Sequence, residues 1–171
     1  KTRGDIWVLS NVQDKPGEPV KFLQTEFNES QAQFSPNGRW VAYTSNESGA
    51  DEVYVQPFPG GPGKWRISSN GGREPRWSRD GKELFYLEQA PRNSLIAVPV
   101  QAGPAGAFEI GKPQKLFDFA AVGIVTTGNS FLYSPAPDGQ RFLVSVRADT
   151  AEPTLNVIVN WEQAVVSAAK Q

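Results

Sequence analysis

The chain has no histidine and no cysteine, and neither sign of charge predominates: 17 Lys plus Arg stand against 18 Asp plus Glu in 171 residues. Without cysteine there is no disulfide framework, no thiolate zinc site and no cysteine nucleophile. Without histidine there is no Ser-His-Asp triad and no imidazole metal site. Balanced charge offers no field to recruit nucleic acid or anionic lipid, so neither is expected as a partner. No apolar run approaches the roughly 20 residues that cross a bilayer, and the opening KTRGDIWVLS lacks a secretory apolar core. These absences favour a non-catalytic domain without a cofactor. The first residue is Lys1, not Met, which predicts a processed product or a piece of a longer chain.

Glycine (16) and proline (14) are abundant and stand as punctuation between short apolar runs. That pattern predicts many short strands joined by turns, as in a sandwich, barrel or propeller. Self-similarity decides among these. QAQFSPNGRWVAYTS (31–45) aligns with EPRWSRDGKELFYLE (74–88). Phe34 falls on Trp77, Ser35 on Ser78, Asn37-Gly38 on Asp80-Gly81 and Tyr43 on Tyr86, all at an offset of 43 residues. A third copy, FLYSPAPDGQRFLVSVR, places Asp138-Gly139 a further 58 residues on and reads as two residues longer before its turn. Asn-Gly and Asp-Gly are strong hairpin signals because both residues accept the positive φ of a tight turn.

Each copy is followed by further strand-like runs: DEVYVQPF and KWRISS, then SLIAVPVQ and PQKLFDF, then LNVIVNW. DIWVLSN and PVKFLQT form an orphan pair at the start. Four antiparallel strands in about 43 residues is the dimension of a propeller blade. The expected fold is therefore all-β, a partial β-propeller of about three to four four-stranded antiparallel blades. A half-blade is expected over 4–25, full blades over 31–69 and 73–119, a last blade over 129–161 and a tail or short helix over 162–171. The Gly/Pro/Ala-rich segment 101–113 reads as an extended loop, and 121–129 as an insertion before the last blade.

FSPNGRWVAYTS and WSRDGKELFYL resemble the TolB-type, WD-repeat-like propeller repeat, whose pattern is aromatic-Ser-Pro-Asp-Gly-Arg-x-aliphatic-Ala-Tyr. Over nearly the whole chain, and most closely over 27–87, the sequence is similar to the C-terminal propeller segment of bacterial membrane-anchored serine/threonine protein kinases. The resemblance implies a bacterial extracytoplasmic propeller used for binding or sensing, with any kinase elsewhere in the chain. No glycine-rich nucleotide loop, His-Arg-Asp or Asp-Phe-Gly is present here.

Several short motifs have ordinary structural explanations. Arg3-Gly4-Asp5 and the two Asn-Glu-Ser tripeptides (28–30 and 46–48) read as turn chemistry, not as adhesion or glycosylation sites. GGPGK (60–64) lacks phosphate-loop spacing and reads as a turn. Asp5, Asp51 and Glu52 recur near third strands but do not form a calcium-loop pattern, so no metal is expected. Of the aromatics Trp7, Trp40, Trp65, Trp77, Phe85, Tyr86 and Trp161, most are expected between blades, with Trp65 the most exposed. Arg39, Arg73, Arg76, Arg79 and Arg141 cluster around the Asx-Gly turns, where pairing with Asp80, Asp138, Glu74 or Glu83 competes with anion binding. Trp65, Arg73, Arg76 and Arg79 form the candidate binding surface.

Three and a fraction blades do not close a ring of about four to eight. Completion requires the rest of a longer chain, a second copy closing the ring, or head-to-tail joining of copies. In the last case Ile6, Trp7 and Val8 of one chain would pair with Val157, Ile158 and Val159 of the next. The expected partners are thus another protein or copies of this chain.

Overall fold

The computed structural model describes residues 4–10, 17–89, 92–103, 107–122 and 131–146. Among these the chain is built of antiparallel sheets. β1 (Ile6–Val8) pairs with β2 (Val20–Leu23). A four-stranded sheet follows, β3 (Glu29–Phe34), β4 (Trp40–Ser45), β5 (Glu52–Pro57) and β6 (Trp65–Arg66), in sequential order. The next sheet holds β7 (Gly72–Trp77), β8 (Glu83–Glu88), β9 (Ser94–Ala102), β10 (Phe108–Ile110) and β11 (Gln114–Asp118). β12 (Tyr133–Pro135) pairs with β13 (Phe142–Val144). Repeated up-and-down sheets stacked face to face make this a partial β-propeller. Val157, Ile158, Val159 and the tail lie outside the described residues.

Two-residue alternation explains the stacking. In β4, Trp40 and Ala42 enter the core shared with the second sheet's Leu84, Tyr86, Ile96 and Val98. Val41 and Tyr43 point the other way, onto Ile6. In the second sheet, Phe85, Leu87, Leu95 and Ala97 pack against Leu132, Tyr133 and Phe142 of the third. Each central strand is thus covered on both faces, and β4 is buried along its whole length. Only a sheet between two others needs apolar residues at both phases of the alternation.

The three turns share one construction. Ser35 N–H donates to the Trp40 carbonyl (2.9 Å), Ser78 N–H to Glu83 (2.9 Å) and Ala136 N–H to Arg141 (2.7 Å). Gly38, Gly81 and Gly139 hold φ of 67°, 72° and 68°, which favours glycine. Each turn's Asx oxygen accepts the N–H two residues on: Arg39, Lys82 and Gln140. Ala136-Pro137-Asp138-Gly139 is therefore the counterpart of Ser35-Pro36-Asn37-Gly38. The third copy is not longer before its turn. It has alanine where the others have serine, and Ser134-Pro135 belongs to strand β12.

That substitution predicts a stability difference. The Ser78 hydroxyl donates to Asp80 (2.8 Å) and accepts the Glu83 N–H (2.9 Å); Ser35 does the same with Asn37 and Trp40. Ser78→Ala is expected to cost about 1 kcal/mol and keep the fold, whereas Ala136→Ser stabilises by about 0.5–1 kcal/mol. Urea unfolding midpoints check both.

The segment 101–113, expected as a loop, carries β10. It pairs with the end of β9, Phe108 opposite Ala102 and Ile110 opposite Val100. Phe108 folds back among Trp40 (ring centroids 5.0 Å), Trp65 (5.4 Å) and Trp77 (6.3 Å). An apolar side chain with a place in the core turned a Gly/Ala-rich segment into a hairpin.

Candidate functional site

The turns lie side by side at one end of the sheets. A Cβ placed on Gly81 would be 3.5 Å from Pro36 of the first turn, and one on Gly139 would be 3.7 Å from Glu83 beside the second. Arg39, Arg79, Asp80, Lys82, Asp138 and Arg141 are all exposed along this arc. Asp138 accepts from the Arg141 guanidinium at 2.9 Å. The backbone N–H groups of Lys82 and Gln140, the leading cause in each case, hold the Asp80 and Asp138 carboxyls below their usual range, so both are ionised at neutral pH.

A cleft of about 240 Å³ opens between the first and second turns, lined by Asn37, Asp80, Trp40, Trp77, Phe108 and Ala102, among others. It runs on into a wider groove along the β9–β10 hairpin, past Lys82 and Glu109. Phe108 and Ala102 were missed in reading the sequence because their role depends on the β9–β10 pairing. The faint signal was the apolar Phe108 within a segment otherwise rich in small residues.

The residues expected to form a binding surface are dispersed. Trp65, on outer strand β6, is half-buried and packs edge-on against Trp40 at 5.4 Å, so it is a packing residue more than an exposed platform. Arg73 and Arg76 lie on β7. The Arg76 guanidinium sits 3.6 Å from the Phe131 ring centroid. Arg79 alone belongs to the turn-bearing end. Ile6 is buried, whereas Trp7 is 50% exposed on the two-stranded sheet.

At the opposite end, carboxylates tie strands together, Glu52 buried and the others partly exposed. Glu52 accepts from the Ser68 hydroxyl and the Gly71 N–H. In the second sheet the partners are exchanged, Ser94 donating to Asp118 at 2.6 Å. Asp5 and Asp51 accept from Gln24 and Gln89 respectively. Among the described residues no group of three or more His, Cys, Asp or Glu side chains is arranged to hold a metal.

A second recurrent link was also missed. Gln31 (φ 56°) and Glu74 (φ 55°) occupy the same bulge in β3 and β7, and they are 43 residues apart. The Gln31 side-chain oxygen accepts the Glu74 N–H at 2.9 Å, and the Glu74 carboxylate accepts the Leu132 N–H at 2.8 Å. Each side chain pins the equivalent point of the next blade.

Fold and site together define a propeller module, a scaffold of repeated sheets that displays variable turns at one end. No protein-family model matches the chain. It is 34% identical over 113 residues to tricorn protease homolog 1 of Streptomyces coelicolor, covering 62% of this chain and 10% of that protein. The chain thus spans about a tenth of that relative's length. A solved Bacteroides uniformis protein, provisionally assigned as a 6-phosphogluconolactonase, superposes with a TM-score of 0.53 at 18% identity, covering 91% of this chain and 47% of that one. This likeness is one of fold. A provisionally assigned TolB of Agrobacterium tumefaciens gives a TM-score of 0.49 at 21% identity, covering 67% of this chain and 41% of that one. No helix among the described residues is long and apolar enough to cross a membrane.

Proposed function

We propose that this chain is a non-enzymatic binding or sensing module of an extracytoplasmic bacterial protein, with the turn-bearing end as its contact surface. The observation that carries this reading is the row of adjacent turns. Their backbone hydrogen bonding is shared, while the two exposed central positions vary: Pro36-Asn37, Arg79-Asp80 and Pro137-Asp138. A rigid frame that varies only its exposed loops is suited to recognition. The kinase-linked propellers that the sequence resembles would supply the larger setting, a kinase domain elsewhere in the chain.

Photo-crosslinking residues placed at Arg79 and Arg141, in cells expressing the native gene, are expected to trap a specific partner. The same residue at Ser69 or Asn70, at the opposite end, is expected not to. Trapping from Ser69 alone, or from neither end, would overturn the reading. A hydrolase screen addresses the alternative suggested by the names of the similar proteins, and turnover abolished by a point substitution in this chain would replace binding with catalysis.

A second reading is self-assembly by strand complementation. It is favoured by the two-stranded β1–β2 sheet, where Trp7 (50%), Leu9 (48%) and Val20 (62%) are exposed. Light scattering that gives a folded, monodisperse monomer of 18.7 kDa would dismiss it.

A further inference from the structure

The cleft between the first two turns has a chemistry of its own. Its inner end is aromatic: Trp77 is half-buried and meets the buried Phe108 ring at 89°. Trp40, also buried, backs Phe108 at 5.0 Å. Aromatic faces carry negative potential that attracts organic cations. At the mouth stands Asp80. One of its oxygens is occupied by the Ser78 hydroxyl and the Lys82 N–H. Among the described residues the other oxygen faces the Lys82 ammonium at 3.8 Å, beyond hydrogen-bond reach, and the Lys82 side chain is 80% exposed. Among the described residues no basic side chain lines the cleft itself. Where the cleft widens into the groove, Glu109 adds a second carboxylate beside the cation Lys82. A volume of about 240 Å³ suits one head group, being smaller than a typical pocket for a drug-sized ligand.

We propose that this cleft binds an organic cation, an alkylammonium head group held against Trp77 with its charge facing Asp80. The proposal rests on the reading of the turn-bearing end as the contact surface. Alkylammonium chemistry has two sources, a free small molecule such as choline and a methylated lysine side chain of a peptide.

The repeat supplies its own controls. Asn37 makes in the first turn the hydrogen bonds that Asp80 makes in the second. Asp80→Asn therefore removes the charge and keeps the turn, and Asn37→Asp adds a second carboxylate at the opposite lip. The 171-residue chain is titrated with choline, with its neutral isostere 3,3-dimethylbutan-1-ol and with a trimethyllysine peptide, followed by NMR. Choline is expected to shift the Trp77 indole N–H and the Gly81 and Ala102 amides, and the neutral isostere to leave them nearly unmoved. Asp80→Asn is expected to weaken binding about three- to fivefold and Asn37→Asp to strengthen it by a similar factor. A peptide that binds much more tightly than choline assigns the site to a protein partner; equal affinity assigns it to the free cation. Equal response to the neutral isostere, an unchanged affinity in Asp80→Asn, or shifts confined to other surfaces would overturn the proposal. If the crosslinks at Arg79 still trap a partner while no cation binds, the proposal fails and the contact surface stands. If neither is seen, both fail.

Discussion

Replacing Phe108 with alanine is expected to destabilise the chain by about 3–5 kcal/mol, the largest effect of any single substitution considered. The ring is 7% exposed and packs against indoles from three different strands, Trp40 on β4, Trp65 on β6 and Trp77 on β7. Truncation therefore opens a cavity at the joint between two blades, where both sheets would have to shift to fill it. Phe108→Leu, which keeps most of the volume, is expected to cost less than half as much. Urea unfolding checks the energies, and intrinsic fluorescence gives a second readout, since the surrounding indoles move toward water and their emission shifts to the red. A Phe108→Ala change under 1 kcal/mol would show that β10 merely lies on the surface.

Glu74 gives the second large effect, and its sign depends on the replacement. Burial raises its carboxyl above the ordinary 4.5, opposed by the Leu132 N–H and by the nearby Arg73 and Arg76. Tyr133, whose hydroxyl donates to the Glu74 carbonyl at 2.7 Å, also faces it. A folded-state value above the unfolded one contributes stability that is fully present below the unfolded value and is lost as pH rises through the folded one. Glu74→Gln keeps an acceptor for Leu132, as Gln31 already provides for Glu74, and removes the buried charge. It is expected to be more stable than the native chain at pH 7, with the advantage fading toward pH 4.5. Glu74→Ala leaves the buried Leu132 N–H without its acceptor and is expected to fall about 1–3 kcal/mol below Glu74→Gln. Thermal unfolding at pH 4.5 and 7 separates the two. Equal stability of the Gln and Ala variants would remove the link between blades.

Much of this architecture is legible in short stretches. Asn37-Gly38, Asp80-Gly81 and Asp138-Gly139 mark their hairpins because a positive φ and an Asx hydrogen bond are local requirements. Trp40, Ala42 and Val41, Tyr43 mark two buried faces because strand alternation is local too. The reading failed where a residue's role depends on distant chain. Ala136 replaces the turn serine, so matching letters placed the third copy's start two residues early, whereas the backbone hydrogen bonds correct it. Trp65, in a strand of only two residues, looked exposed because the ring that covers it comes from residue 108. The candidate arginines Arg73, Arg76 and Arg79 are close in sequence, yet strand geometry places only Arg79 on the turn-bearing end.

The sequence by itself determined the repeat, its turns and the alternation that requires the two central sheets to be covered on both sides. Tertiary structure alone decided which face meets which, how Gln31 and Glu74 pin successive blades, and that Asn37, Asp80, Trp77 and Phe108 border one cleft. The physical reason is separation along the chain. Turns and alternation are set by residues within a few positions of each other, whereas the cleft exists only after two blades and the β9–β10 hairpin have packed together.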